Sequence, residues 1–516
     1  MKIRKFCLFL HLFIYCFTIF ILAASPDLIW GQPKDKIVAT TAYDLPTMDP
    51  HMHSVRPMFI VGLHMWDNLV YRDPETREIH PCLATSWKII DELTWEFKLR
   101  KGVKFHNGYP FNAHDVKFNF DRVLNPDQKS PQRPKHSSVK SVEVIDDYTI
   151  KFYTHKPYPV MLERLANFQM ISEKYTKEKG DAYIALNPVG TGPYKFVHWK
   201  KGQELVVEAN ENYWKGAPPV KTVVWRTIPE PATQIAELLA GGVDFIESVP
   251  PDQIDLINQS GVARVLEVRA LPVAFIKLDG AGRGGTNPFQ DKRVRQAINY
   301  GANIDGYIKH IMKGRAIRIA TWASPFAFGY DPTIKPYPYD PEKAKKLLAE
   351  AGYPNGFEVR HVNSHQRIPG QRQFIEALQA DLAKVGIRMK IVEYTDEGPL
   401  FTLIREGKAG PMYQMSWGYS MTHDLDAIFY EHCTQPSFWA YWWSDETTKL
   451  IEQARSTLDM ELRKKIYSKL QHTIKEEAPV LFMWQYVQTY GVGNKIAEIK
   501  IGSDEIPRFF DVKIKK

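Results

Sequence analysis

The chain has 516 residues, too many for one compact core and enough for about three domains of roughly 150 residues each. Its 44% apolar and 24% charged content is that of a globular protein rather than a disordered or fibrous one. The formal charge of +8 comes without any block of Lys and Arg interleaved with aromatics, which argues against nucleic acid as a partner.

Lys2, Arg4 and Lys5 precede an apolar run from Phe6 to Ala24, broken only by His11 and Thr18. That order of charge and apolarity is a secretory signal, placed at residues 1–24, so an exported mature protein is expected from about Ser25. The run is also long enough to stay uncleaved as a membrane anchor. Loss of the three basic residues lowers the formal charge to +5. No cysteine follows Leu22-Ala23-Ala24, so the usual bacterial lipoprotein site is missing.

Ile37 to Thr41 reads as an opening strand, followed by a loop with Pro46 and Asp49-Pro50. His51, His53 and His64, with Met48, Met52, Met58 and Met65, are the densest group of imidazole and thioether ligands. Their spacing matches no metal motif, and Phe59, Leu63 and Trp66 suggest an apolar helix. Core methionines are therefore expected and no metal is assigned.

Residues 93–118 read LTWEFKLRKGVKFHNGYPFNAHDVKF. Thr94, Glu96, Lys98 and Arg100 alternate with Trp95, Phe97 and Leu99, the period of a half-buried strand. Gly108 and Pro110 turn the chain. Asn112 is then an N-cap with Asp115 three residues on, and Val116, Phe120 and Val123 fall at helical spacing. Asn125 to Lys135, rich in Pro, Lys and Gln, reads as an exposed loop.

PVGTGPYKF at 188–196 is a dense turn signal before strands at Leu205 to Glu208 and Val220 to Thr227. Ala232 to Ala240 reads as a helix stopped by Gly241-Gly242, and Pro272 to Leu278 as an apolar strand. Gly280-Ala281-Gly282-Arg283-Gly284-Gly285 satisfies G-x-G-x-x-G, but Asn287-Pro288-Phe289 separate it from the next helix. A flexible loop is expected there, and no dinucleotide or other cofactor. DKRVRQAINY at 291–300 opens a helix, and DPEKAKKLL at 340–348 begins another with an Asp cap and Pro at its first position. Phe374, Leu378, Leu382 and Val385 continue at helical spacing, after which Ile387, Met389 and Ile391 alternate as a strand. Helix followed by strand, repeated, argues an α/β fold. H-E-x-x-H, G-x-S-x-G and Walker A loops are absent from the sequence, so no catalytic residue is nominated. A secreted hydrolase is the alternative class.

The four segments 93–118, 188–196, 291–300 and 340–348 together resemble the peptide/nickel class of bacterial extracellular solute-binding proteins, family 5. The resemblance implies a periplasmic-binding-protein-like clamp of two lobes with an extra inserted domain. By that reading residues 36–71, 187–271 and 486–516 form the first lobe, 72–186 the inserted domain and 272–485 the second lobe. It also implies a periplasmic monomer that captures a small polar solute, by default a peptide, and hands it to the permease subunits of an ABC importer. Oligosaccharides, opine-like compounds and nickel complexes are the alternative ligands. Cys82 and Cys433 then fall in different domains and are expected to be free buried thiols.

Ligand-binding residues are implied by the same resemblance. In peptide-binding relatives a Trp is followed three residues later by an Asp that holds the peptide ammonium; here Trp417, Gly418 and Tyr419 lead to Ser420. A buried cation without its counter-charge costs several kcal/mol, so ordinary recognition of a peptide amine at Ser420 is not expected. Asp424 or Asp426, just beyond His423, is the candidate substitute, the other reading being that all three lie in a loop capping the next helix. Arg372 matches the neighbourhood that presents an Arg to the peptide carboxylate, a bidentate match. The aromatic group Phe438, Trp439, Tyr441, Trp442 and Trp443 offers either a stacking surface or lobe core.

Overall fold

The computed structural model describes residues 35–53, 56–364, 370–394, 397–418, 422–435 and 437–515. The leader assigned to residues 1–24, and Tyr419 and Ser420, lie outside the described residues. Among the described residues no helix is long and apolar enough to cross a membrane.

The fold is mixed α/β, built on one eleven-stranded sheet. In spatial order its strands are Ile387–Tyr394, Phe357–Ser364, Met412–Trp417, Ala263–Leu278, Val480–Gly493, Phe245–Ile246, Lys36–Thr41, Thr222–Thr227, Glu204–Ala209 and Tyr194–Lys200. Ala316–Arg318 pairs additionally with Val480–Gly493. Two strands of this set are far longer than the rest, Ala263–Leu278 with 16 residues and Val480–Gly493 with 14. They run antiparallel to each other through both lobes. Ala263 to Arg269 face Gly493 to Val487 on the side that carries Lys36–Thr41, whereas Val273 to Leu278 pair with Met412–Trp417 on the other side.

The ladder between the long strands breaks between Arg269 and Val273. Pro272 lies in the break, where a residue without an N–H costs no ladder bond. The freed groups are satisfied from elsewhere: Leu271 N–H donates to Ser503 O at 2.8 Å, and Gln485 Nε2 donates to Ala270 O at 2.6 Å. The two strands are locally uncoupled here, with Leu271 N–H and Ala270 O bonded outside the ladder.

The inserted domain is a four-stranded antiparallel sheet in the order Ala84–Asp91, Thr94–Leu99, Thr149–Thr154, Val139–Asp146. Trp95, Phe97 and Leu99 point into its core with Val116, Phe120 and Val123 of the helix Ala113–Leu124. Asn112 caps that helix through His114 N–H, and Asp115 accepts from Asn112 N–H, which closes the expected capping box. This core draws on residues from Leu69 to Met170, while Ile171 and Ile184 pack into the core beneath Lys36–Thr41.

Asn125 to Lys135 is largely exposed, as expected, but it is not irregular throughout. It forms a short 3-10 helix Pro126–Gln128 and the start of the helical turn Arg133–His136. Ser130 and Gln132 are buried because their side chains donate to His51 O at 2.6 Å and Pro50 O at 3.0 Å. Local polarity suggested solvent; a neighbouring backbone supplied the partners instead.

Candidate functional site

The lobes meet along a cleft where the loop 422–426 of the second lobe faces the helix Met161–Leu165 of the inserted domain. Glu163 Oε2 accepts from His423 N–H at 3.0 Å and also pairs with Arg72. Arg164 reaches Asp426 at 4.0 Å, Lys156 reaches Glu452 at 3.7 Å, and Arg77 lies 4.8 Å from the ring centroid of Phe326. A cavity at this meeting is lined by Phe59, Gln132, Lys135, His136, Arg164, Asn167 and Thr422. At about 10 Å³ it has room for roughly one water.

Trp417 ends the strand Met412–Trp417, opposite Val273 at the break. Its ring meets His432 edge-on at 4.6 Å and Trp439 at 5.5 Å, and its Nε1–H has no partner among the described residues. A Cβ on Gly418 would stand 3.4 Å from Pro272, so this glycine packs against the break itself. Tyr441 and Trp442 are buried in lobe core, while Phe438 and Trp439 are only partly buried and extend the aromatic wall of Trp417.

Asp424 is 2% exposed, and both of its oxygens bind Arg463, at 2.5 and 2.8 Å. Tyr467 OH donates to it as well, at 2.9 Å. Burial opposes the charge of Arg463, but Asp424 outweighs it and the guanidinium pKa rises. Asp426 binds Arg455 at 3.0 Å. Arg372 opens the helix Gln371–Lys384 with its side chain 80% exposed, its one ion pair among the described residues being Glu376 at 3.7 Å. The structure thus brings Trp417, Gly418, Asp424 and Asp426 to the cleft and the break, and leaves Arg372 facing solvent.

His51 and His64 are held by protein groups. His51 lies between Gln169 O at 3.1 Å and Arg122 Nη1 at 3.1 Å, and burial lowers its pKa to about 4. His64 is fixed between Ile60 O and Phe509 N–H, against the rings of Trp225 and Phe509. The Gly280–Gly285 loop folds around the Asp279 carboxylate, which accepts from Arg283 N–H at 3.0 Å and Gly284 N–H at 2.8 Å. The next α-helix starts only at Lys292. Amides already turned onto a carboxylate do not cradle a diphosphate. Cys82 and Cys433 are free and buried, each thiol pushed up to about 12 chiefly by burial.

Residues 78–438 match the family described as bacterial extracellular solute-binding proteins, family 5. The chain belongs to that family. Among curated relatives it is 30% identical to the glutathione-binding protein GsiB of Pectobacterium atrosepticum, over 90% of each chain, and 32% identical to the heme-binding protein A of Haemophilus influenzae, over 80% of each. Among solved structures it superposes on the periplasmic binding protein DppA of Helicobacter pylori in complex with the peptide STSA, with TM-score 0.80, 30% identity, and 93% of this chain and 98% of that chain covered. Proteins of family 5 are solute-binding proteins.

For this family member, Lys135, Glu163, Arg164 and Thr422 were not singled out from sequence. None sits in a motif, and Lys135 lay in the segment read as loop. What marks them is that they meet one another across the cleft.

Proposed function

We propose that this family 5 protein is exported and works as a monomer. It binds a small polar solute between its lobes and delivers it to the permease of an ABC importer without chemical change. The observation that carries this reading is the pair of long strands crossing both lobes with a hydrogen-bonded break at Pro272, beside a cleft closed by contacts between loop 422–426 and helix Met161–Leu165. In this reading residues 272–485 swing against the remainder. A ligand that touches both lobes only when they are closed drives closure by differential affinity, and about 5.5 kcal/mol of difference carries an equilibrium from 1:99 to 99:1.

Peptide is the reference ligand, since the Helicobacter DppA structure holds one. Asp424 and Asp426 are already engaged by Arg463 and Arg455, so neither offers an uncommitted carboxylate to a peptide ammonium. Small-angle scattering of the mature protein, stripped of solute and then given a mixture of short peptides, tests the clamp. A smaller radius of gyration is expected on binding; saturation by a bound peptide with an unchanged radius contradicts it.

A further inference from the structure

The cleft cavity is short of negative charge and rich in uncommitted donors. Thr422 is 1% exposed, lines the cavity, and its hydroxyl has no hydrogen-bond partner among the described residues. The Nε–H of Arg164 is buried and likewise unpartnered. Lys135 forms no ion pair among the described residues, its ammonium standing 5.3 Å from the Phe59 ring centroid. Around these stand three cations, Lys135, Arg164 and Arg455, against two carboxylates, Asp426 and Glu431. Asp426 is shared between Arg455 and Arg164, and Glu431, which accepts from Ser437 Oγ, acts on Arg164, Arg455 and Lys135.

Burial lowers the Lys135 pKa to about 7, with Arg164 adding to the effect. Burial also raises that of Glu431. Burial thus works against charge at both groups, and an entering anion would favour the ammonium. An ammonium, a guanidinium N–H and a hydroxyl on residues lining one cavity are a donor set suited to an oxyanion.

We propose that this cavity anchors an oxyanion of the transported solute, a carboxylate or phosphate received by Lys135 Nζ, Arg164 Nε–H and Thr422 Oγ1 as the lobes close. The proposal rests on the solute-binding reading above and names the chemical class of that solute. Lys135 and Arg164 come from the inserted domain and Thr422 from the second lobe, so the complete donor set exists only in the closed form.

The test is a capture experiment. The mature protein, unfolded and refolded to strip bound solute, is immobilised and offered an equimolar panel. The panel holds dipeptides and tripeptides as free acids and as C-terminal amides, with neutral sugars, uronic acids and sugar phosphates. Retained compounds are identified by mass spectrometry for the unmodified protein and for Lys135→Met and Thr422→Val, whose melting temperatures are recorded alongside. Compounds bearing a carboxylate or phosphate are expected to be retained about tenfold or more above their amide or neutral counterparts. That gap is expected to shrink in both variants. Which acids are retained distinguishes carboxylate from phosphate. Equal retention of acids and amides, or an unchanged gap in both variants, overturns the anchor while leaving solute binding intact. Retention of nothing overturns the binding reading and the anchor with it.

Discussion

Two polar clusters border the same cleft and differ in one respect. Asp424, Arg463 and Tyr467 are buried and mutually saturated, with every carboxylate oxygen engaged. Lys135, Arg164 and Thr422 are crowded into a cavity with a hydroxyl and a guanidinium N–H left without partners among the described residues. A saturated cluster fixes the shape of a lobe, because its charges have nothing left to offer. An unsaturated one stores a desolvation cost that a ligand can relieve. The contrast separates scaffold from site more clearly than residue type does, since both clusters contain an Arg.

The sharpest way to break this comparison is Arg463→Met. It strands Asp424 as an uncompensated buried charge, and urea denaturation is expected to show a loss of about 3–5 kcal/mol. A loss under about 1 kcal/mol would place Asp424 among the uncommitted groups after all.

Acid gives the next effect. His53 is buried with both ring nitrogens unpartnered among the described residues, and burial, aided by Lys135 and His51 and opposed by Asp49, lowers its pKa from 6.5 to about 3. Because the unfolded chain takes up this proton first, stability should fall as pH drops from about 6.5 toward 3, by up to about 1.4 kcal/mol per unit for this group. In His53→Leu the slope of denaturation free energy against pH should flatten by that amount over that window.

Lys135→Met should behave oppositely to Arg463→Met. Removing an unpaired, partly buried ammonium is expected to leave the solute-free protein as stable or to stabilise it by about 1 kcal/mol. Calorimetric melting without solute measures this, and a loss of several kcal/mol would show that Lys135 has a structural partner. The smallest effect belongs to the exposed pair Lys156 and Glu452, at 3.7 Å with side chains 76% and 46% exposed. Lys156→Ala should change stability by less than about 0.5 kcal/mol, an ion pair in solvent being worth little.

Family, fold class and many element boundaries were legible in the sequence because they rest on short-range regularities. The alternation from Thr94 to Arg100 became the strand Thr94–Leu99, the Asn112–Asp115 spacing became a capping box, and Asp340 caps the helix Pro341–Glu350. The site was less legible. Trp417, Gly418 and Asp424 were named by their neighbourhood, but the sequence could not say that Asp424 was committed, since Arg463 lies 39 residues away. Arg372 carried the right chemistry at the right place in the chain, and its side chain points to solvent.

What the sequence determined by itself was where strands and helices begin and which faces they bury, because hydrophobic period and cap chemistry act over a few residues. What only the tertiary structure decided was which charges are paired. Pairing depends on contacts such as that between Arg164 and Asp426 across the cleft, or between Ser130 and the backbone of His51, and these are set by chain crossings that no local pattern encodes. Charge is a property of a residue, but saturation is a property of its surroundings, and only the folded chain sets it.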